Sequence, residues 1–270
     1  MLGIIDGDVL CHMACEQPWK MKVERLQQGG VETSRLKGLG EIPGYNAEAD
    51  TRVFDTCWRN FEEIVRESLD ALFCTEHLMA VKDGKSYRDD IYSEYKKNRG
   101  KWRIHNPFVE LVRRRAVEQQ LAVYATDKEA DDLIRIWAEE SRKTGVAHAV
   151  ISIDKDLYCI EGMHYNPKKK EVKTVSASEA MWHYYSQLLS GDPTDHIPGL
   201  PRVGPKIADK LIRGIATEEE CQEVVVAMYF EKFGDDWAPY LLSNGKMIHI
   251  QKHWNDHFTI RNWPAVEGLL

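Results

Sequence analysis

The stretch AHAVISIDKD, residues 147–156, decides the fold. Ala147–Ile153 reads as a buried strand, largely apolar and β-branched, that ends at Asp154 with Asp156 just beyond. Continuous apolar character, in place of strict alternation, is what a parallel strand covered on both faces requires. Working outward, other short runs end in the same way. Leu2–Ile5 leads to Asp6 and His77–Val81 leads to Asp83. Leu121–Ala125 leads to a helix whose first turn carries Glu129, Asp131 and Asp132. Thr126 or Asp127 is the expected cap of that helix, and Gly145 its stop. Over Arg52–Cys74 the positions Val53, Phe54, Cys57, Trp58, Phe61, Ile64, Val65, Leu69 and Leu72 follow a helical period and form a packing stripe. Strands alternating with helices predict an α/β fold with a mostly parallel sheet.

The rest of the chain supplies punctuation. Residues 20–50, with Gly29-Gly30 and Pro43-Gly44, are predicted to be a long loop or insertion. Lys168–Lys170 marks a hairpin turn between two short strands, and after about residue 176 the pattern is mostly helical. No apolar run approaches the length of a membrane span, so no membrane partner is expected. The N-terminus turns polar too early for a signal peptide. Six cysteines without a CxxC pair fit reduced thiols and a cytoplasmic location.

Nine carboxylates are gathered by this topology: Asp6, Asp83, Glu129, Asp131, Asp132, Asp154, Asp156, Asp192 and Asp195. In open α/β sheets, sites form beyond the carboxyl ends of strands. Acids packed there without counter-charge repel one another, and hard divalent cations with oxygen ligands are the simplest remedy. Each acid alone has a plain explanation: first-turn acids favour the helix dipole, and Asp192 and Asp195 in GDPTD suit a turn. Their joint placement is what points to metal. Asp6-Gly7-Asp8 has a rival reading as the opening of an aspartate-type phosphatase, with the first Asp as phosphoryl nucleophile.

A net charge of −7 argues against nucleic acid only superficially, because the clustered acids exceed it. Residues 82–115 hold eleven Lys and Arg against five Asp and Glu, a stretch able to follow a phosphate backbone. Within it, RDDIYSEYKKNRG (88–100) interleaves aromatics with cations, as stacked bases beside held phosphates require. IPGLPRVGPKIADKL (197–211) reads as a DNA-backbone hairpin. Gly199 and Gly204 permit close approach, the next helix offers free N–H groups, and Lys206, Lys210 and Arg213 add charge. His249, His253 and His257 recur every four residues, but no pattern completes a zinc site and they are read as structural.

Five ordered segments, IIDGDVL, VKDGKSYRDDIYSEYKKNRG, EADDLI, ISIDKDL and GDPTDHIPGLPRVGPKIADKLI, resemble the 5′-nuclease (flap endonuclease and 5′-to-3′ exonuclease) family. The resemblance implies a PIN-like (Rossmann-like) core over 1–187, with an arch or clamp at about 84–120. It also implies a helical helix-hairpin-helix DNA-binding region over 188–270. It places Asp6, Asp83, Glu129 and Asp131 in a first cluster for Mg²⁺ or Mn²⁺. Asp154, Asp156, Asp192 and Asp195 fall in a second, with Asp132 between them, for two ions in all. Lys96 matches the active-site lysine, Tyr95 the stacking aromatic, and Arg88 and Arg99 phosphate-binding cations. The hairpin matches a duplex-binding element that often holds K⁺. The partners implied are DNA 5′ ends, flaps and junctions, with RNA primers a further candidate. A monomer is expected, similar to stand-alone phage members. The short segment between Asp83 and Glu129 leaves threaded arch and open clamp as alternatives. A DNA-junction-binding module without activity, a phosphatase and a PIN-type ribonuclease stay open as rival functions.

Overall fold

Ile4 and Ile5 point to opposite faces of strand β1 (Leu2–Asp6), and both are fully buried. Such a strand sits in the middle of a covered sheet. In the computed structural model, which describes residues 1–31, 42, 44–84, 86–96 and 104–269, β1 lies between β2 (Glu76–Lys82) and β4 (His148–Ile151). The six-stranded order is β3-β2-β1-β4-β5-β6, with β3 at Val123–Ala125, β5 at Gly162–Asn166 and β6 at Glu171–Val175. Pairs β1–β2, β1–β4, β2–β3 and β4–β5 are parallel, as the near-continuous apolar runs require.

The chain divides into two units. Unit 1 comprises Met1–Gly84, Arg99–Asp154 and Met163–Lys173, and it carries the sheet. Its helices are α1 (Gly7–Gln28), α2 (Thr51–Ala71), α4 (Pro107–Glu118) and α5 (Ala130–Thr144). Helix α5 packs on β1, β2 and β4, while α1 packs with α2 and α4. Cys57, Trp58 and Phe61 of the α2 stripe are buried in this core. Unit 2 comprises Lys85–Asn98, Lys155–Gly162 and Thr174–Leu270. It holds α3 (Tyr87–Ile91), α6 (Ala177–Ser190), α7 (Pro205–Ile212), α8 (Glu218–Phe233) and α9 (Trp237–Ile248). The structural division therefore differs from a boundary at residue 187, because the segment after Gly84 packs with the helical unit through α3 and α9.

Several expectations need correction. Residues 20–28 are helical, not loop: α1 continues through Pro18 to Gln28, because MKVERLQQ consists mostly of good helix formers. The rest of that predicted insertion falls partly on residues 32–41 and 43, outside the described residues. Helix α5 starts later than expected, capped by Glu129, because Asp127 adopts a left-handed conformation (φ 59°) and a Glu129–Asp132 capping box sets the first turn. His249 terminates α9, and His253 and His257 lie beyond any helix, so the three never form a helical face. Among the described residues, no helix is long and apolar enough to cross a membrane.

Candidate functional site

Strand order reverses direction at β1, since β2 and β3 lie on one side and β4 and β5 on the other. The crevice at such a switch point is where open α/β sheets bind ligands. Asp6 ends β1 there and caps α1, its Oδ1 accepting from Val9 N at 3.2 Å. Ser152, just past β4, donates its hydroxyl to Asp6 Oδ2 at 2.8 Å and accepts from Asp154 N at 2.9 Å. Asp6 is 3% exposed. Burial pushes its carboxyl up to about 7, and the negative charges of Asp8 and Asp154 act in the same direction, against the hydrogen bonds from Ser152 and Val9. A carboxyl raised by burial and by neighbouring acids is a site suited to a cation.

The remaining unit 1 acids have distinct settings. Asp83 follows β2, is exposed, and accepts from the Thr126 hydroxyl at 3.1 Å. Glu129 and Asp131 are half-buried at the start of α5. Asp132 is fully buried and accepts from Glu129 N at 3.1 Å. One of its oxygens is thus engaged in the capping box of α5. Ser152 was passed over in the sequence reading, although it stands two residues from Asp154. Asp8 entered there only through the phosphatase alternative, and Arg113 only as one cation of the basic stretch 82–115.

In unit 2, Asp156 accepts from Gln187 Nε2 at 2.6 Å. Asp192 folds back on its own turn, accepting from Thr194 N at 2.7 Å and bridging to Ile197. Asp195 is 6% exposed and faces Lys96, with Nζ 3.6 Å from Oδ2. The Asp195 carbonyl also accepts from Lys96 N at 3.0 Å. Lys96 itself is left-handed (φ 55°), a conformation costing a non-glycine residue about 1–2 kcal/mol and sustained only by surrounding contacts.

Two residues expected to contact DNA are engaged within unit 2. Arg88 is 2% exposed and donates to the backbone carbonyls of Met247 and His249, which fastens α3 to the end of α9. Tyr95 is 7% exposed, with the Lys96 ammonium over its ring 4.6 Å from the centre. Arg99 lies outside the described residues. In the hairpin, Gly199 (φ 60°) is needed internally: a Cβ there would stand 2.3 Å from Gly191 N. Gly204 has open space where a Cβ would project, and it caps α7 without a side-chain bond. Lys206 and Lys210 are exposed on α7, whereas Arg213 is taken up by a bidentate pair with Asp209.

Residues 48–184, half of the chain, match the family described as 5′-3′ exonuclease, N-terminal resolvase-like domain. The chain belongs to that family. A DNA polymerase I from Rhizobium leguminosarum is 31% identical over 150 residues, 50% of this chain and 15% of the polymerase. A flap endonuclease Xni from Pseudoalteromonas translucida is 23% identical over 205 residues, 68% of this chain and 77% of that protein. The chain spans only a little over half of the curated 5′-3′ exonucleases it matches. The bacteriophage T5 flap endonuclease, solved as a pseudo-enzyme-product complex with DNA and metal ions, superposes with a TM-score of 0.54 at 12% identity, covering 92% of this chain and 94% of that one. The PIN-like α/β fold expected of the family is thus the fold observed.

The donors fit a hard divalent cation in kind, being carboxylates around a buried acid that no cation among the described residues offsets. Among the described residues, no three His, Cys, Asp or Glu side chains form a ready-made cage.

Proposed function

We propose that this chain is a divalent-metal-dependent 5′ nuclease that hydrolyses phosphodiesters near the 5′ end of a DNA strand at a duplex junction, in replication or repair. The observation that carries the reading is the buried Asp6 carboxylate at the switch point of the sheet, joined through Ser152 to Asp154. In unit 1, Asp6, Asp83, Glu129, Asp131 and Asp154 would hold Mg²⁺ or Mn²⁺. In unit 2, Asp156, Asp192 and Asp195 supply carboxylates for a second ion. When bound, the cation provides Lewis acidity and a nucleophile available at neutral pH. The chain's own residues do the rest. Ser152 fixes the Asp6 carboxylate by one bond and the Asp154 backbone by another. Lys96 would stabilise charge developing on the scissile phosphate. The uncapped first turn of α7, with Lys206 and Lys210, would hold the duplex backbone without reading sequence.

The reading is supported by the family match and by relatives named as 5′-3′ exonucleases and flap endonucleases. It is tested with a 5′-flap duplex labelled at either end, incubated with Mg²⁺, Mn²⁺ or EDTA. Metal-dependent products with 5′-phosphate and 3′-hydroxyl ends are expected, and their lengths separate exonucleolytic from junction cleavage. Products ending in 3′-phosphate, or hydrolysis of a small phosphate ester with no action on DNA, would overturn it.

A further inference from the structure

Asp8 stands two residues after Asp6, yet its surroundings differ from those of Asp6. Both of its oxygens lie 3.1 Å from Lys82 N, and Arg113 Nε donates to Oδ1 at 2.7 Å. The two side chains are only 23% and 14% exposed. Arg113 Nη1 also donates to Glu110 at 3.3 Å. Each anchor has a consequence for the site. Lys82 is the last residue of β2 and immediately precedes Asp83. Asp8 lies in the first turn of α1, the helix capped by Asp6. Arg113 belongs to α4. One carboxylate therefore ties the end of β2 to the start of α1 and locks α4 onto both. Gly7 allows this junction: a Cβ there would stand 2.6 Å from Val81 Cγ1 and 2.7 Å from Ala80 O.

We propose that Asp8 and Arg113 form a positioning pair that sets the separation of Asp6 and Asp83, and that Asp8 is not itself a metal ligand. The inference rests on the metal-dependent nuclease reading. A carboxylate whose charge is already paired with a guanidinium and a backbone N–H is compensated by the protein itself, which weakens its pull on a metal. Withdrawing it toward a cation would leave a largely buried arginine with only the longer Glu110 contact at 3.3 Å, a costly state. Partners that orient metal-binding groups without touching the metal weaken affinity about 10–100-fold when removed.

The two roles differ in the sign of one measurement. Electrostatics alone says that removing a cation beside a metal site tightens metal binding. A positioning role says that the same change loosens it. The experiment titrates Mn²⁺ into the DNA-free protein and counts free ion by electron paramagnetic resonance, comparing the unsubstituted chain with Arg113→Met, Asp8→Asn and the double variant. Circular dichroism checks that each is folded. Arg113→Met is expected to weaken Mn²⁺ binding about tenfold or more, Asp8→Asn to do likewise, and the double variant to be no worse than either. Arg113→Lys, which keeps the ion pair, is expected to restore most of the affinity. Unchanged or tighter binding by Arg113→Met would overturn the positioning role while leaving the nuclease reading intact. If Arg113→Met does not fold, Arg113→Gln replaces it with the same signs at stake. No Mn²⁺ binding by the unsubstituted chain would overturn both the nuclease reading and this inference.

Discussion

Replacing Asp6 by Asn is expected to make the metal-free protein more stable at neutral pH, although it removes a residue central to the site. The folded Asp6 carboxyl is raised from 3.8 to about 7, with burial the largest cause and the charges of Asp8 and Asp154 adding to it. A group raised on folding binds its proton more tightly in the folded state, so stability falls as pH rises from the unfolded value through the folded one. Ionising Asp6 at pH 8 costs the folded protein about 4 kcal/mol, at about 1.4 kcal/mol per tenfold in the protonation equilibrium. Of this, about 2–3 kcal/mol develops between pH 5 and pH 8. Asn keeps an acceptor for Val9 N and carries no charge, so the variant gains most at pH 8 and much less at pH 5. Urea unfolding followed by circular dichroism in EDTA measures both points. Added Mg²⁺ or Ca²⁺ is expected to stabilise the unsubstituted protein at pH 8 and to narrow or reverse the gap, because the cation supplies the missing countercharge. An Asp6→Asn variant less stable than the parent at pH 8 in EDTA, or a gain that does not grow with pH, would refute the reasoning.

Asp154→Ala is expected to cut cleavage of a 5′-flap substrate roughly a hundredfold or more, while junction binding in Ca²⁺, read by fluorescence anisotropy, stays within about threefold, because α7 and not the sheet edge would grip the duplex. Lys206→Ala is expected to weaken binding across sequences and to lower the slope of log affinity against log salt by about one, measured by the same assay over a salt series. Arg88→Met is expected to destabilise the protein by roughly 3 kcal/mol in denaturant unfolding, since two buried carbonyls lose charge-assisted bonds. Its salt slope for DNA binding is expected to match that of the parent, the opposite of what a phosphate contact would give.

The sheet was legible because each strand carries its own local signal. Leu2–Ile5, His77–Val81 and Ala147–Ile153 are apolar runs bounded by acids, and the structure makes them β1, β2 and β4. Elements fixed by non-local contacts were not legible. Residues 20–28 mislead for a different reason: the glycine pair that follows them suggests a loop, although the run itself consists mostly of good helix formers that continue α1 to Gln28. RDDIYSEYKKNRG reads as a cationic, aromatic, exposed segment, but its first half is fastened within unit 2. Arg88 reaches the carbonyls of Met247 and His249, and the Glu94 carbonyl bonds His196. Those partners are 102 to 161 residues away in the chain. No window of local sequence contains them.

The same limit governs the acids themselves. A strand-end Asp in sequence is a carboxylate of unassigned duty, and what assigns it is the set of donors brought from elsewhere. Asp132 receives a backbone N–H from its own helix and becomes a cap. Asp8 receives Lys82 N and the Arg113 guanidinium and is held between elements. Among the described residues, Asp6 receives one hydroxyl and one N–H, no cation, and the repulsion of two acids. Charge already compensated by protein donors builds structure, whereas charge left uncompensated in a buried place is maintained only if something else neutralises it. By that criterion the nine acids of the motif are not nine equivalent ligands. Their ranking by uncompensated charge, with Asp6 first and Asp132 last, is the order in which their substitution to Asn is expected to weaken Mn²⁺ binding in the absence of DNA. A metal affinity that falls as far for Asp132→Asn as for Asp6→Asn, in variants with matched circular dichroism, would show that compensation by protein donors does not decide which acids serve the metal.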